Sequence, residues 1–325
     1  MIYKTQNRRT IVSLIVAALI LTCTTDANGQ RRRNTRGYNG RDVTILVTVH
    51  PQNERAREIA DKLQPDDFAV RENGRLQRVI SAKRPAETPI ILAVLIQDDL
   101  VSRVNNEIRG IKDFIRHLPE GSRVLTGYIS VGTLNVAQDF TADRERAAES
   151  LRIVRGSQSA SPFNPYVEVI EALRRFDSQP SGRRMVLLVS DGLDLSRGFR
   201  DASPTLSIDL DRAIREAQRR GVAAFTFYAP SVGLTGFSHL AVNYGQGCLN
   251  RLADETGGEA FFSGTDFVTF DPYFRGFNEL LGRQWLITYR SASTGSEFRR
   301  IVVITEYDLH LHYPSGYYPR KEPLD

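Results

Sequence analysis

The stretch ILAVLIQDDLVSR, residues 91–103, decides how this chain is read. Six apolar residues, 91–96, run without alternation into Gln97, Asp98 and Asp99, with Ser102 just beyond. An unbroken apolar run of strand length belongs to a β-strand covered on both faces, as in a parallel sheet flanked by helices. Open α/β sheets bind their ligands at the carboxyl ends of such strands. Two uses of these residues are therefore open. They are oxygen ligands for a metal, or caps for a helix starting near Arg103, whose first N–H groups need acceptors.

Working outward, strands alternate with helices from 88 to 290. Ile108, Ile111, Phe114, Ile115 and Leu118 recur at helical spacing, and Pro119 and Gly121 stop that helix. VLTGYISV (124–131) is a second strand, FTADRERAAESLRIV (140–154) opens a helix at a Thr cap, and PYVEVIEALRRF (165–176) supplies another. RRMVLLVSDG (183–192) repeats the pattern of a buried strand ending in a carboxylate, Asp191. Residues 209–230 read as helix, Gly221 stop, then strand, and LNRLADETGGEAFF (249–262) repeats that order before a helix around FRGFNELLG (274–282). The order predicts an α/β fold with a doubly wound, mostly parallel sheet.

Both flanks change period. Residues 42–87 form a small β unit, since DVTILVTVHP alternates and Asn73-Gly74 joins two extended runs as a hairpin turn. QWLITYRS (284–291) and the tail 291–325 alternate again, and predict an edge hairpin or strands that join the N-terminal unit.

A chain of 325 residues with 41% apolar content is globular rather than disordered. Lys4, Arg8 and Arg9 precede the apolar run 11–22, and Ala27 and Gly29 follow, so residues 1–29 read as an export signal cut after Gly29. The run is short of the ~20 residues that span a bilayer. Residues 30–41 are a basic flexible linker. Losing Lys4, Arg8, Arg9 and Asp26 with the signal lowers the formal charge from +5 to +3, which leaves the folded part near neutral. No nucleic-acid partner is expected, and membrane contact is expected only through a lipidated Cys23 or an uncut signal. Cys23 and Cys248 are the only cysteines, so the mature chain has no disulfide and Cys248 reads as a buried structural thiol.

The succession of acid and serine after the first core strand, then VLLVSDG, then ETGGEAFF, resembles a von Willebrand factor type A domain. The flanking LQPDDFAVRENGRLQRVISAKR, QWLITYRS, FRRIVVI and SGYYP resemble the secreted bacterial subfamily called acidobacterial von Willebrand factor A-related. The resemblance covers residues 42–320. It implies a metal-ion-dependent adhesion site of pattern Asp-x-Ser-x-Ser, a later Thr and a later Asp, in which Mg²⁺ keeps one position for a partner's carboxylate.

This sequence departs from that pattern. With Asp98 in the Asp slot, Leu100 replaces the first Ser and faces the pocket, while Ser102 keeps the second. With Gln97 in the slot, the charge is lost there and Asp99 and Val101 fill the serine positions. The Thr slot falls where only Ser159, Ser161 or Asn164 is offered. The resemblance thus assigns a degenerate metal site to Asp98, Ser102 and Asp191, binding Mg²⁺ or Ca²⁺ weakly, and the acids and Ser102 lean toward helix capping. No other cofactor is expected.

His310 and His312 stand two apart, on one face of a strand, without a third ligand evident, while His50, His117 and His239 look scattered. Ser190 lacks the nucleophile-elbow glycines. The expectation is an exported, non-enzymatic module that recognises an unidentified protein through loops 98–106, 156–165, 192–208 and 231–247, with Phe237 and Tyr244 contributing. An envelope-anchored assembly factor or a hydrolase on the same scaffold is the alternative.

Overall fold

All eight residues of Ile90–Gln97 are buried. The computed structural model describes residues 40–84, 88–180, 182–262 and 269–319. The expected signal, Cys23 and nearly all of the basic linker lie outside these.

In chain order, β1 (Arg41–His50) leads through α1 (Glu54–Lys62) to β2 (Ala69–Glu72) and β3 (Arg75–Lys83). Next come β4 (Ile90–Gln97), α2 (Ile108–Arg116), β5 (Arg123–Ser130), β6 (Thr133–Thr141), α3 (Arg144–Glu149), α4 (Pro165–Arg175) and β7 (Arg183–Ser190). Then follow α5 (Ile208–Arg220), β8 (Val222–Tyr228), α6 (His239–Thr256), β9 (Ala260–Phe261) and α7 (Asp271–Leu281). β10 (Gln284–Ser291), β11 (Arg299–Ile304), β12 (His310–His312) and β13 (Gly316–Tyr317) close the chain.

One sheet runs β6-β5-β4-β7-β8-β9 and is parallel except for β6, which returns antiparallel on β5. The pleat of β4 divides its side chains between two cores. Leu92, Val94 and Ile96 pack with Ile111, Phe114, Ile115 and Phe277, from α2 and α7. Ile91, Ala93 and Leu95 pack with Tyr166, Leu173, Ile214 and Leu252, from α4, α5 and α6. Helices on both faces make the sheet doubly wound, and each large aliphatic side chain buried this way contributes ~2 kcal/mol.

Local chemistry sets the helix ends. Asn164, Ser207 and Ser238 accept N–H bonds at the starts of α4, α5 and α6, and Gly221 ends α5 in the left-handed region at φ 61°. The expected Thr cap is corrected: Asp143 caps α3, accepting from Arg146 N at 3.0 Å, while Thr141 ends β6.

The second sheet is antiparallel, in the order β12-β1-β10-β3-β2-β11-β13. The strands after α7 therefore join the N-terminal β unit, one of the two arrangements expected of them. Asn73 and Gly74, at φ 48° and 79°, make the two-residue turn between β2 and β3. Phe68 packs on Trp285 with ring centroids 5.1 Å apart, at the centre of this sheet's own apolar cluster. Buried Glu72 holds the sheet's two chain segments together, accepting from Tyr289 Oη, Ser291 Oγ, Ser293 Oγ and Tyr317 Oη at 2.6–3.0 Å.

Candidate functional site

The carboxyl ends of β4, β7 and β8 meet at one edge of the parallel sheet. Past Gln97 the chain turns at Asp98 and Asp99 and then bridges Leu100 to Ser231, fixed by Asp98 N to Ile129 O (3.0 Å), Val101 N to Pro230 O (3.0 Å) and Val232 N to Asp99 O (2.9 Å).

Asp98 follows Ile96 to one side. It is fully buried, and both its oxygens are taken by Arg152, Nη1 at 2.8 Å and Nη2 at 2.9 Å, with Arg155 Nε at 3.2 Å and Arg155 N at 2.9 Å. Arg152 also lies over the Tyr128 ring, 3.8 Å from its centroid. Leu100 is on that side too, within the apolar core rather than facing the acid pocket.

Gln97 and Asp99 turn the other way, toward Asp191. Gln97 Nε2 donates to Asp99 Oδ1 at 2.7 Å, and Gln97 Oε1 accepts from Ser190 Oγ at 2.5 Å and Asp191 N at 3.3 Å. Ser161 bonds the Asp99 carboxyl. Asp191 Oδ1 accepts from Leu193 N at 3.1 Å and Oδ2 from Thr235 Oγ1 at 2.9 Å, and Thr235 in turn bonds Ser231 N at 2.9 Å. Burial, then the charge of Asp191, pushes the Asp99 carboxyl up to about 6, and burial raises Asp191 as well. Among the described residues neither acid has a cationic partner.

The structure thus brings Asp191 together with Asp99, and sends Asp98 and Ser102 elsewhere. Gln97 and Asp99, rather than Asp98, face Asp191. Ser102 is exposed, in a 3-10 turn (Ser102–Asn106). The capping expectation is also corrected: neither that turn nor α2 has a side-chain cap, because the arginines and Gln97 have claimed the acids. Of the three residues offered for the Thr slot, Ser161 is at the site. Asn164 caps α4, and Ser159 is bonded to exposed Ser157. Thr235 and Ser231 complete the site from the segment SVGLTG after β8, whose hydroxyls are the signal for them in the sequence.

The loop taken as 231–247 ends at Ser238, because α6 starts at His239. Gly245 lies inside that helix, where a Cβ would stand 1.9 Å from Asp191 O, so only glycine lets α6 close on the acid. Phe237 is exposed as expected, whereas Tyr244 is half-buried and stacks on Phe199 at 5.3 Å. Cys248 is buried and pushed up to about 12 by burial, as suits an inert thiol. Of the three histidines read as scattered, only His50 joins others among the described residues, paired across β1 and β12 with His310.

The donor set has the hard oxygens that Mg²⁺ prefers. Those of Asp99 and Asp191 are occupied by N–H and O–H donors, however, and both residues are at most 4% exposed. The arrangement does not fit an ion that shares a coordination position with a partner's carboxylate at the surface. A cleft of about 610 Å³ lies away from this edge, between the sheets, and its Arg219 and Arg220 are already paired with Glu216 and Asp177.

No protein-family model matches the sequence, and no curated protein matches it. Among solved structures, the conserved hypothetical protein BatB from Bacteroides thetaiotaomicron is similar with a TM-score of 0.42 and 13% identity, over 60% of this chain and 98% of that one. An aerotolerance-related membrane protein from Bacteroides fragilis has the same TM-score and identity over 60% of this chain and 99% of its own. The SpRpn10 VWA domain gives 0.37 and 10% over 60% of this chain and 92% of that one. These are similarities of fold alone.

Proposed function

We propose that this chain is an exported, non-enzymatic recognition module of the von Willebrand factor type A kind, which holds a protein partner on the loops at the carboxyl edge of the parallel sheet without a bridging cation. The observation that carries this reading is the set of large apolar side chains exposed on those connections and in the first turn of α6: Val131, Ile153, Phe163, Leu206, Phe237 and Leu240. Phe163 is 61% and Phe237 76% exposed, which folding alone does not favour for an aromatic side chain, and a group of exposed apolar side chains at one edge marks an interaction surface. Two of the same residues, Val131 and Phe163, hold positive φ angles of 50° and 58°, a strain that tends to gather at functional loops.

Three further points agree. The charge that a shared cation needs is buried and spent on internal hydrogen bonds. Ser190, the hydroxyl nearest a catalytic position, bonds Gln97 and Gly192 rather than a base. Export rests on the N-terminal sequence pattern, and among the described residues no helix is long and apolar enough to cross a membrane.

The test is affinity capture from the envelope fraction of the producing cell, quantified by mass spectrometry, with wild type and a Phe163→Ser/Phe237→Ser variant, each with and without EDTA. The expected result is a protein retained by wild type in EDTA and lost by the variant. Capture unchanged by the double substitution refutes the loop surface, and capture abolished by EDTA restores a cation to the mechanism.

A further inference from the structure

Away from the loop edge, a second group of side chains has no role in the reading above. β12 pairs antiparallel with β1, Thr48 opposite His312 and His50 opposite His310, so all three imidazoles rise from one face of that sheet. His50 lies 5.9 Å from His310 and 5.7 Å from His312 between ring centroids. The turn between α6 and β9 brings up a carboxylate from the other sheet, with Glu259 Oε2 3.8 Å from His50 Nε2. That distance is too long for a hydrogen bond. Both atoms are nevertheless buried and without a hydrogen-bond partner.

A pair of buried, unpartnered donor atoms facing one another is costly unless something sits between them. The available ligand atoms of His50, His312 and Glu259 all lie within 4.8 Å of one another. Tetrahedral zinc with bonds near 2.1 Å sets its ligands ~3.3 Å apart, so closure needs movements of about 1.5 Å or less, within reach of side-chain rotation. We propose that His50, His312 and Glu259 form a zinc-type metal site that fastens β1 and β12 to the α6–β9 turn.

Two imidazoles and one carboxylate are a borderline donor set, suited to Zn²⁺ over Mg²⁺ or Ca²⁺, and three protein ligands leave a position for water or a fourth ligand. Asp254 Oδ1 lies 3.6 Å from His312 Nε2, a carboxylate beside the ligand. Arg283 is the opposing charge near His50, and its own guanidinium is 3.5 Å from Glu279. Burial holds His50 down to about 4 and lowers His312 too, so both offer lone pairs at neutral pH. The site joins residues more than two hundred positions apart, and its occupancy locks the last strands onto the parallel-sheet half.

The test uses the full chain freed of any affinity tag. Co²⁺ is titrated and read by its visible absorption, then displaced by Zn²⁺, in wild type and in His50→Gln, His312→Gln, Glu259→Gln, His117→Gln and Asp191→Asn variants. The expected result is one ion per chain with a four-coordinate spectrum, kept in His117→Gln and Asp191→Asn. Loss of one ligand weakens binding by ~100-fold or more, and Zn²⁺ raises the melting temperature of wild type, His117→Gln and Asp191→Asn but not of the three ligand variants. Circular dichroism of the metal-free proteins separates ligand loss from misfolding, and three single-ligand variants guard against one that fails to fold. Absence of binding at about 100 µM metal, unchanged binding in the folded His50 and His312 variants, or loss confined to Asp191→Asn overturns the proposal.

Discussion

Replacing Asp99 by asparagine should make the protein more stable at neutral pH, and replacing its neighbour Asp98 by alanine should make it less stable. Asp99 titrates near 6 when folded, against 3.8 for an unperturbed aspartate, because it is buried beside Asp191. Its folded state therefore holds the proton more tightly than its unfolded state. Such an acid subtracts nothing below pH 3.8, subtracts progressively as pH rises to 6, and subtracts fully above that. The full effect is ~3 kcal/mol, falling to ~1 kcal/mol near pH 4.5. Asparagine keeps the acceptor that Gln97 Nε2 uses, so the substitution removes charge without removing that bond. Asp98 is the opposite case, a buried carboxylate holding two arginines. Their side chains are 41% and 61% exposed, which reduces the cost of Asp98→Ala to ~2 kcal/mol, below the usual figure for a fully buried pair. Urea unfolding of the three proteins at about pH 4.5 and about pH 7.5 measures both effects. An Asp99→Asn protein no more stable than wild type at the higher pH, or a gap that does not shrink at the lower, refutes the assignment of Asp99 to a buried, unpaired charge.

Other substitutions test other parts of the argument. Glu72→Gln leaves Arg299 buried beside a neutral side chain and should cost ~3 kcal/mol. Burial works against the Glu72 charge, but four hydroxyl donors outweigh it and lower its pKa, so the contribution is present above pH 4.5 and lost in stronger acid. Urea unfolding checks both, with the difference from wild type vanishing in acid. Gly245→Ala sets a Cβ against Asp191 O and should lower the melting temperature by about 4 °C or more, and an unchanged melt contradicts the close approach of α6. Val131→Gly relieves a β-branched residue at φ 50° and should raise the melting temperature by about 2 °C, measured by the same scan.

What the sequence made legible is what local physics determines. Unbroken apolar runs, glycine stops and Asn-Gly each have one favoured outcome, and the doubly wound α/β sheet and the β2–β3 hairpin follow from them. The candidate site was legible only in part, because adjacent aspartates are equal in composition and opposite in direction. Which one faces Asp191 depends on the turn at Asp98–Asp99, and that turn is fixed by backbone bonds to Pro230 and Asp99's partner Val232, far along the chain. The arginines that claim Asp98 stand at 152 and 155, where nothing in LRIVRG marks them as partners. His50 was hidden for the same reason, since only the β1–β12 register sets it beside His310.

The turn past Gln97 sets what the acid at 99 does. Asp99 lies beyond the end of β4, with its backbone O bonded to Val232 N, in the segment that follows β8, at 2.9 Å. There Thr235 links Asp191 to that segment, donating to Asp191 Oδ2 while accepting from Ser231 N, both at 2.9 Å. Phe237, the most exposed large apolar side chain of the proposed surface, lies two residues on. The acid pair then serves to hold the shape of the surface rather than to carry a ligand. Thr235→Val preserves volume and removes the hydroxyl that bonds Asp191 Oδ2, Ser231 N and Ser231 Oγ, leaving the buried Ser231 N–H without that acceptor, a loss of ~2 kcal/mol. Hydrogen exchange should quicken across 231–238 and stay unchanged in β4, whose bonds lie within the sheet. Exchange in 231–238 equal to wild type would mean that the turn is fixed by its own backbone bonds, and that the buried acids have no part in presenting Phe237.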